Sequence, residues 1–416
     1  KPYQNLSDFD WDGLKPGDIV QIHYRETPYQ EKLALNRSGK KGNPIVIRGI
    51  PNSNGRLPVI DGDNAVHFQN SFYASIIDRG LIIVGCDKPA DHIVISGLEI
   101  KNANNANAFY FKGESIQYAG NANGIFIKKG KYVKILNNVI HSNCVGVQTS
   151  YYPFVDMVLL SGNTIFNNGD FSGTRWGHNV YLCAKRTIVE FNRFGELHSD
   201  GNNIKDRSQT LVVRYNWIQG GMSRQIDMVE SERYPKADAF VYGNVIINGK
   251  MVKNPKMVLF GGDSSNEQGL SKGSGRNGTL YFFNNTVHYT GAGLDAFLVV
   301  NRPGCQAFLY NNAFFGGQQV WLGDGRVLGS NNLFQYGTDT RGLVNSFFGG
   351  LEQVTARGNI LYIPSSNSIL MDRGTAKIPL QVKYMPLPAP GRMARKIRKN
   401  IDIGAYELNT TTFSLK

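Results

Sequence analysis

Six side chains offer the plainest chemistry in this chain: His178, Tyr181, Lys205, Arg207, Arg224 and Asp227. They fall in three short segments: Gly177-His178-Asn179-Val180-Tyr181, Asn203-Ile204-Lys205-Asp206-Arg207 and Arg224-Gln225-Ile226-Asp227. Val180 precedes Ile188 by eight residues and Ile204 precedes Val212 by eight, so these segments share a register. In an extended strand, alternate side chains face opposite sides. Val147, Val180, Ile204 and Ile226 are then expected inward, with Phe126, Gln148, Tyr181, Lys205, Asp227 and Leu259 as an outward column. A neighbouring column holds Lys128, Ser150, Cys183 and Arg207, while His178 and Arg224 precede their strands.

Bases and cations gathered on one face suit removal of a proton α to a carboxylate. Arg207 or Arg224 would pair with that carboxylate bidentately. A cation beside Lys205 disfavours its charged form and makes it a usable base. Asp227 acts in the opposite sense. If it pairs with Lys205, proton transfer passes to Tyr181 or His178, and Lys205 becomes the carboxylate anchor. The plainer alternatives are a surface ion pair contributing roughly 0 to 1 kcal/mol and a histidine that caps a turn. Lys205, Tyr181, His178, Asp227 and Arg207 are the expected catalytic group. Arg224, Gln148, Lys128, Trp176, Tyr234 and Glu230 are expected to bind substrate.

A repeat positions these residues. The segments VKILNNVI, LLSGNTIF, IVEFNRF, VVRYNWI, AFVYGNVI, LYFFNNTV, AFLYNNAF and VLGSNNLF each read as strand, Asn, strand. Their aligned asparagines are Asn138, Asn163, Asn192, Asn216, Asn244, Asn285, Asn312 and Asn332, spaced 25, 29, 24, 28, 41, 27 and 20 residues apart. A period of 20 to 29 with one excursion fits a coil of three short strands and three turns. One coil cannot bury its own apolar face, but coils stacked about 4.8 Å apart share a core. Asparagine suits the bend because it tolerates left-handed geometry and its amide can bond to the next coil. Leucine-rich repeats lack their Leu framework here, and propeller blades need about 40 to 45 residues. The expected fold is all-β: a right-handed parallel β-helix of about ten or more coils in one domain, with long loops walling a groove. Its expected parts are a cap over 1–62, central coils over 63–345, and C-terminal coils with a tail over 346–416.

The chain opens with Leu14-Lys15-Pro16-Gly17-Asp18, Gly42-Asn43-Pro44-Ile45-Val46-Ile47-Arg48-Gly49 and Pro58-Val59-Ile60-Asp61-Gly62, and closes with Asp402-Ile403-Gly404-Ala405-Tyr406-Glu407. These ends and the repeat frame resemble secreted bacterial β-helix proteins of the polysaccharide-lyase type, best known from the alginate-lyase and chondroitinase B family. The resemblance covers most of the chain and bears more on fold than on reaction. It implies a Lys base on one coil, carried onto Lys205, with a helping Arg on the next coil. That Arg does not carry over directly, because the next coil offers Asp227 with Arg224 before it. No organic cofactor is implied. Calcium is compatible with the resemblance, yet no acidic cluster marks a metal site in the sequence.

Composition narrows the partner. The net charge of +13, with a pI near 9.4, favours an anionic ligand. The one dense basic run is Arg392, Arg395, Lys396, Arg398 and Lys399, and no nucleic-acid-binding motif accompanies it. An acidic polysaccharide is therefore expected rather than nucleic acid. Cys86, Cys144, Cys183 and Cys305 lack CxxC spacing and read as core thiols. No apolar stretch reaches the roughly 18 to 20 residues of a membrane span. A chain that opens on Lys1 fits a processed product, and a secreted or periplasmic location is expected.

Insertions at 63–80, 102–122, 229–238, 249–256 and 261–278 would wall the groove. Tyr110, Tyr118, Tyr151, Tyr152, Trp176 and Tyr234 fall in or near them as platforms for sugar faces. Two other function classes compete with elimination. Glycoside hydrolysis needs two carboxyl groups about 5 to 9.5 Å apart, from Asp227 with Glu230, Glu232, Asp200, Asp206 or Asp263. A non-catalytic glycan-binding solenoid needs the face alone.

Overall fold

The computed structural model describes residues 3–69, 77–151, 154–173, 177–230, 233–248, 256–262, 276–291 and 293–408. Its described strands form three long, almost wholly parallel sheets of 13, 11 and 11 strands, the architecture of a right-handed parallel β-helix. Each coil contributes one strand to each sheet: Asn123–Ile127, Val133–Leu136 and Val139–His141 make one, and Val145–Thr149, Met157–Ser161 and Thr164–Phe166 the next. Strands of all three sheets already occur within the first 62 residues, at Ile19–His23, Glu31–Leu35, Ile45–Ile50 and Val59–Asp61. No helix among the described residues is long and apolar enough to cross a membrane.

The chain divides into two compact units, Lys1–Ile188 with Phe194–Ser208 and Val189–Arg193 with Gln209–Lys416. In the first unit Val147, Val180 and Ile204 are fully buried, as their alternation requires, and in the second so is Ile226. Burying such a side chain contributes about 1.5–3 kcal/mol.

The asparagine ladder is present in both units. Asn138 donates through its backbone N–H and its amide to Asn163 Oδ1, at 2.9 and 3.1 Å. The same double contact joins Asn192 to Asn216, Asn216 to Asn244, Asn244 to Asn285, Asn285 to Asn312 and Asn312 to Asn332. The expectation that these asparagines also take the left-handed conformation is corrected. Positive φ belongs to the residue before each one: Asn137, Gly162, Phe191, Tyr215, Gly243, Asn284, Asn311 and Asn331. The bend is made one position early, which frees the following amide to point inward and bond along the stack. Asn285 has its amide nitrogen 2.9 Å from the Val241 carbonyl as well. Asn285→Ala would leave the Asn244 N–H without its acceptor and take one donor from that carbonyl, so a loss of about 1–3 kcal/mol in chemical denaturation is expected.

Two insertions do more than wall a groove. Residues 102–122 form an antiparallel hairpin, Ala108–Phe111 with Glu114–Gln117, and 63–80 supplies the strand Ala65–His67 beside it. Both extend the edge of the 13-stranded sheet. Under the hairpin lies Lys32, fully buried, its ammonium 4.0 and 4.4 Å from the Phe109 and Tyr118 ring centres and donating to the Gly80 carbonyl at 2.6 Å. Burial, and then Lys32, push neighbouring His67 down to about 4. A histidine whose folded pKa is depressed favours folding above its unfolded value, near 6.5. That contribution, at most about 3 kcal/mol, disappears as pH falls from 6.5 through 4. Denaturation across this range is expected to show a slope that His67→Gln flattens.

The second unit ends differently from the expected C-terminal coils. Beyond Phe347–Phe348 the chain forms antiparallel pairs, Val354–Arg357 with Ile360–Pro364 and Tyr384–Met385 with Met393–Ala394. Ile360, Ile363, Leu370, Met385, Ile403 and Tyr406 from this segment pack against Trp217, Val245, Phe315 and Leu333. All four cysteines are buried free thiols.

Candidate active site

In the first unit the outward column is continuous. Ala34, Ile83, Phe126, Gln148, Tyr181 and Lys205 are successive partners across adjacent strands. Its first three residues pack into an apolar cluster with Cys86, and Gln148 is also buried. The column first reaches solvent at Tyr181 and Lys205, both partly exposed. The strands Gly177–Leu182 and Gly201–Asp206 carry this pair. They begin at Gly177 and Gly201, where a Cβ on Gly201 would lie 1.6 Å from the Gly177 carbonyl oxygen. Only glycine permits that approach.

A second asparagine ladder fixes these strands from inside. The Asn143 N–H and amide both donate to Asn168 Oδ1 at 3.1 Å, and the Asn168 amide donates to Asn179 Oδ1 at 2.8 Å. The Asn179 amide in turn donates to Asn203 Oδ1 at 2.5 Å. Asn179 and Asn203 lie two residues before Tyr181 and Lys205, so the buried amides set the register of the outward pair. The single-Asn repeat does not reveal this ladder, because its members follow varied neighbours.

On the outer side, Arg207 Nε donates to the Tyr181 hydroxyl oxygen at 2.8 Å, and its guanidinium carbon is 5.9 Å from the Tyr181 ring centre. Lys205 Nζ is 5.7 Å from the same centre. Two cations two residues apart, one on the strand and one just past its end, thus converge on one phenol. His178 packs edge-on to Tyr181 at 5.3 Å between ring centres. Its Nδ1 accepts from the Asn202 backbone N–H at 3.1 Å, so the neutral ring carries its proton on Nε2. His178 is buried, and its place is behind the phenol. Tyr151 meets Tyr181 edge-to-face, also at 5.3 Å, and exposes 44% of its surface. Its sequence position gave only a loop aromatic, and the turn brings it to the site. Gln148, the partner of Tyr181 on the other side, keeps Oε1 buried without a hydrogen-bond partner among the described residues.

The remaining expected residues are placed elsewhere. Lys128 lies on the coil before Gln148, half-buried, its Nζ 3.5 Å from the Cys86 carbonyl oxygen. Burial, with Lys129 adding and Cys86 and Asp87 opposing, lowers its pKa. In the second unit Asp227, expected to be outward and open, is fully buried and pairs with Arg224 Nη1 at 2.6 Å. Its column continues through Leu259 and Val299, which cluster with Val229. Covered apolar neighbours therefore explain its loss of exposure. Glu230 is buried too, and Gly262 is so close that a Cβ there would lie 2.8 Å from Glu230 Oε2 and from Arg302 Nε. Tyr234 is half-buried in the second unit. Asp206 is fully buried and accepts from the Ser208 N–H at 3.0 Å. Trp176, Tyr152, Glu232 and Asp263 lie outside the described residues. Among the described residues no group of three or more His, Cys, Asp or Glu side chains is arranged to hold a metal.

No family model matches the chain, and no curated protein does. Solved structures that resemble it include two lyases. The pectate lyase Pel9A aligns with a TM-score of 0.55 at 15% identity, over 96% of this chain and 90% of that one. An alginate lyase from Paenibacillus sp. str. FPU-7 aligns with a TM-score of 0.53 at 15% identity, over 76% of this chain and 94% of that one. At such identity the likeness establishes the fold: a parallel β-helix of the kind polysaccharide lyases have.

Proposed function

We propose that this chain is a polysaccharide lyase that cleaves a uronate-containing polymer by β-elimination, with its active centre at Tyr181, Lys205 and Arg207. The observation that carries the reading is the convergence of two cations on one phenol at the point where the outward column opens to solvent. Elimination needs a cation on the uronate carboxylate, a base for the proton α to it, and a donor for the departing glycosidic oxygen. Arg207 supplies the carboxylate clamp. Lys205 takes the proton. The Tyr181 hydroxyl, whose oxygen already accepts from Arg207, turns its own proton outward to the leaving oxygen. His178 holds the phenol ring from behind. The two fold neighbours, named as lyases of pectate and alginate, support the substrate class.

Hydrolysis finds less support, since Asp206, Asp227 and Glu230 are all buried and Asp227 is neutralised by Arg224. A secreted or periplasmic location belongs to the proposal, because such polymers lie outside the cytoplasm. Incubation with a panel of uronate polysaccharides is expected to raise the ultraviolet absorbance of the unsaturated uronate product. New reducing ends without that absorbance would replace elimination by hydrolysis. Neither signal, with binding retained, would leave a glycan-binding solenoid.

A further inference from the structure

We infer that the turns leading out of the 13-stranded sheet form, in the first unit, a second and non-catalytic binding track for an extended acidic polysaccharide. The track starts beside Arg207 and follows the stack of coils toward the N-terminus. It takes its ligand class from the function proposed above but uses none of that site's catalytic groups.

Five consecutive turns build it, and backbone hydrogen bonds fix their order. The N–H groups of Ala90 and His92 donate to the carbonyls of Lys129 and Lys131 at 3.1 and 2.7 Å. Gly130 donates to Phe154 at 3.0 Å, and Lys185 and Arg186 donate to Val155 and Asp156 at 3.2 and 2.7 Å. The Ala184 N–H reaches Ser208 Oγ at 3.1 Å, which joins the last turn, the one that carries Arg207.

These turns present Lys88, Lys129, Lys131, Lys185 and Arg186, against the carboxylates of Asp87, Asp91 and Asp156. All five cations but Lys129, which is half-buried, are exposed, and one of the carboxylates, Asp91, accepts from the Lys131 N–H at 2.8 Å. Charged turn tips alone would be ordinary solvation. Large aromatic rings set among them are not, because the core does not need them there. Tyr132 is 44% exposed and stacks on His92 at 4.8 Å, and Phe154 is 47% exposed with the Lys129 ammonium 5.6 Å from its ring centre. Cations beside open rings match a ligand that has a carboxylate on one edge and an apolar face, which describes an acidic sugar.

Cations stand on four of the five turns, the third offering Phe154 and Asp156 instead, and neighbouring coils lie about 4.8 Å apart. A single sugar would meet one or two of them, whereas a polymer lying along the stack would meet them in succession. The track therefore favours long chains over short ones, and through Tyr151 and Tyr181 it feeds the site at Arg207.

The test is a variant carrying Lys129→Ser, Lys131→Ser, Lys185→Ser and Arg186→Ser, with Lys185→Ser/Arg186→Ser as a milder companion. On a long polyuronate its KM is expected to rise about tenfold or more with kcat unchanged, while rates on short oligosaccharides stay as in the parent. In a Lys205→Ala background the four substitutions are expected to abolish retention on immobilised polyuronate at physiological salt. Unchanged KM and retention in a normally folded variant would overturn the track. So would single-stranded DNA binding as tightly as the polyuronate at that salt, because the surface would then be a general polyanion site. If the parent binds polyuronate but cleaves none, and the four substitutions remove that binding, the track stands and the lyase reading falls.

Discussion

Replacing Lys205 with alanine is expected to lower the elimination rate by about 10²–10⁴, the range that a positioned general base supplies. The fold should not register the change. Lys205 faces outward and is partly exposed, so its removal opens no core cavity, and stability should stay within about 0.5 kcal/mol. The loss should appear in kcat, because Arg207 remains to hold the carboxylate and KM depends on it. Lys205→Arg separates charge from basicity: a guanidinium restores the cation but cannot deprotonate, so that variant should bind polymer and remain inactive. Tyr181→Phe is the internal comparison. It removes the donor for the leaving oxygen and the acceptor for Arg207 Nε together, so it should reduce kcat and raise KM. Steady-state absorbance assays on one polyuronate resolve all three. A Lys205→Ala enzyme that turns over at a near-parental rate would exclude Lys205 as the base.

The largest expected effect on stability lies in the second unit, at Arg395. Its side chain is fully buried and donates to Glu407 Oε1 at 2.7 Å and to the Asp402 and Gly404 carbonyls at 2.9 and 3.1 Å. Arg395→Met takes the charged partner from a buried carboxyl that keeps the Asp402 N–H, and one donor from each of two carbonyls that also accept from the Asn284 amide, and a loss of about 3–5 kcal/mol is expected. Burial pushes Glu407 up to about 7, with Arg395 opposing and Asp402 adding. The pH dependence follows from that direction. A carboxyl whose folded pKa is raised favours folding below its unfolded value, near 4.5, and loses that contribution as pH rises through about 7. Without Arg395 the main offset to burial is gone and the Asp402 N–H remains, so the variant's deficit should be larger at pH 8 than at pH 5. Denaturation at the two pH values measures this, and an equal deficit at both would show that Glu407 does not ionise in the parent. Hydrogen exchange should locate the damage in the segment from Ile360 to Tyr406, which this arginine ties together. The one dense basic run in the sequence is thus partly an internal tie.

The sequence alone was enough for the coil. Strand, Asn, strand recurring every 20 to 29 residues has few physical solutions, because no single repeat can bury its apolar side. Period-2 alternation then placed Val147, Val180 and Ile204 inside and put Tyr181 opposite Lys205, since a one-residue slip would reverse every side chain. Local rules of this kind reach as far as the next strand. They do not say what lies over an outward residue. Asp227 and Gln148 alternate as Tyr181 does, yet both are buried, because exposure depends on what packs over each strand. Tyr151 joins the site through a turn whose path no periodicity encodes, and Arg395 finds Glu407 twelve residues on only when the C-terminal segment folds back. Alternation, a property of the backbone, could be read from one dimension. Coverage, pairing and the opening of the column at Tyr181 and Lys205 come from distant chain meeting in space, and only the tertiary structure decided them.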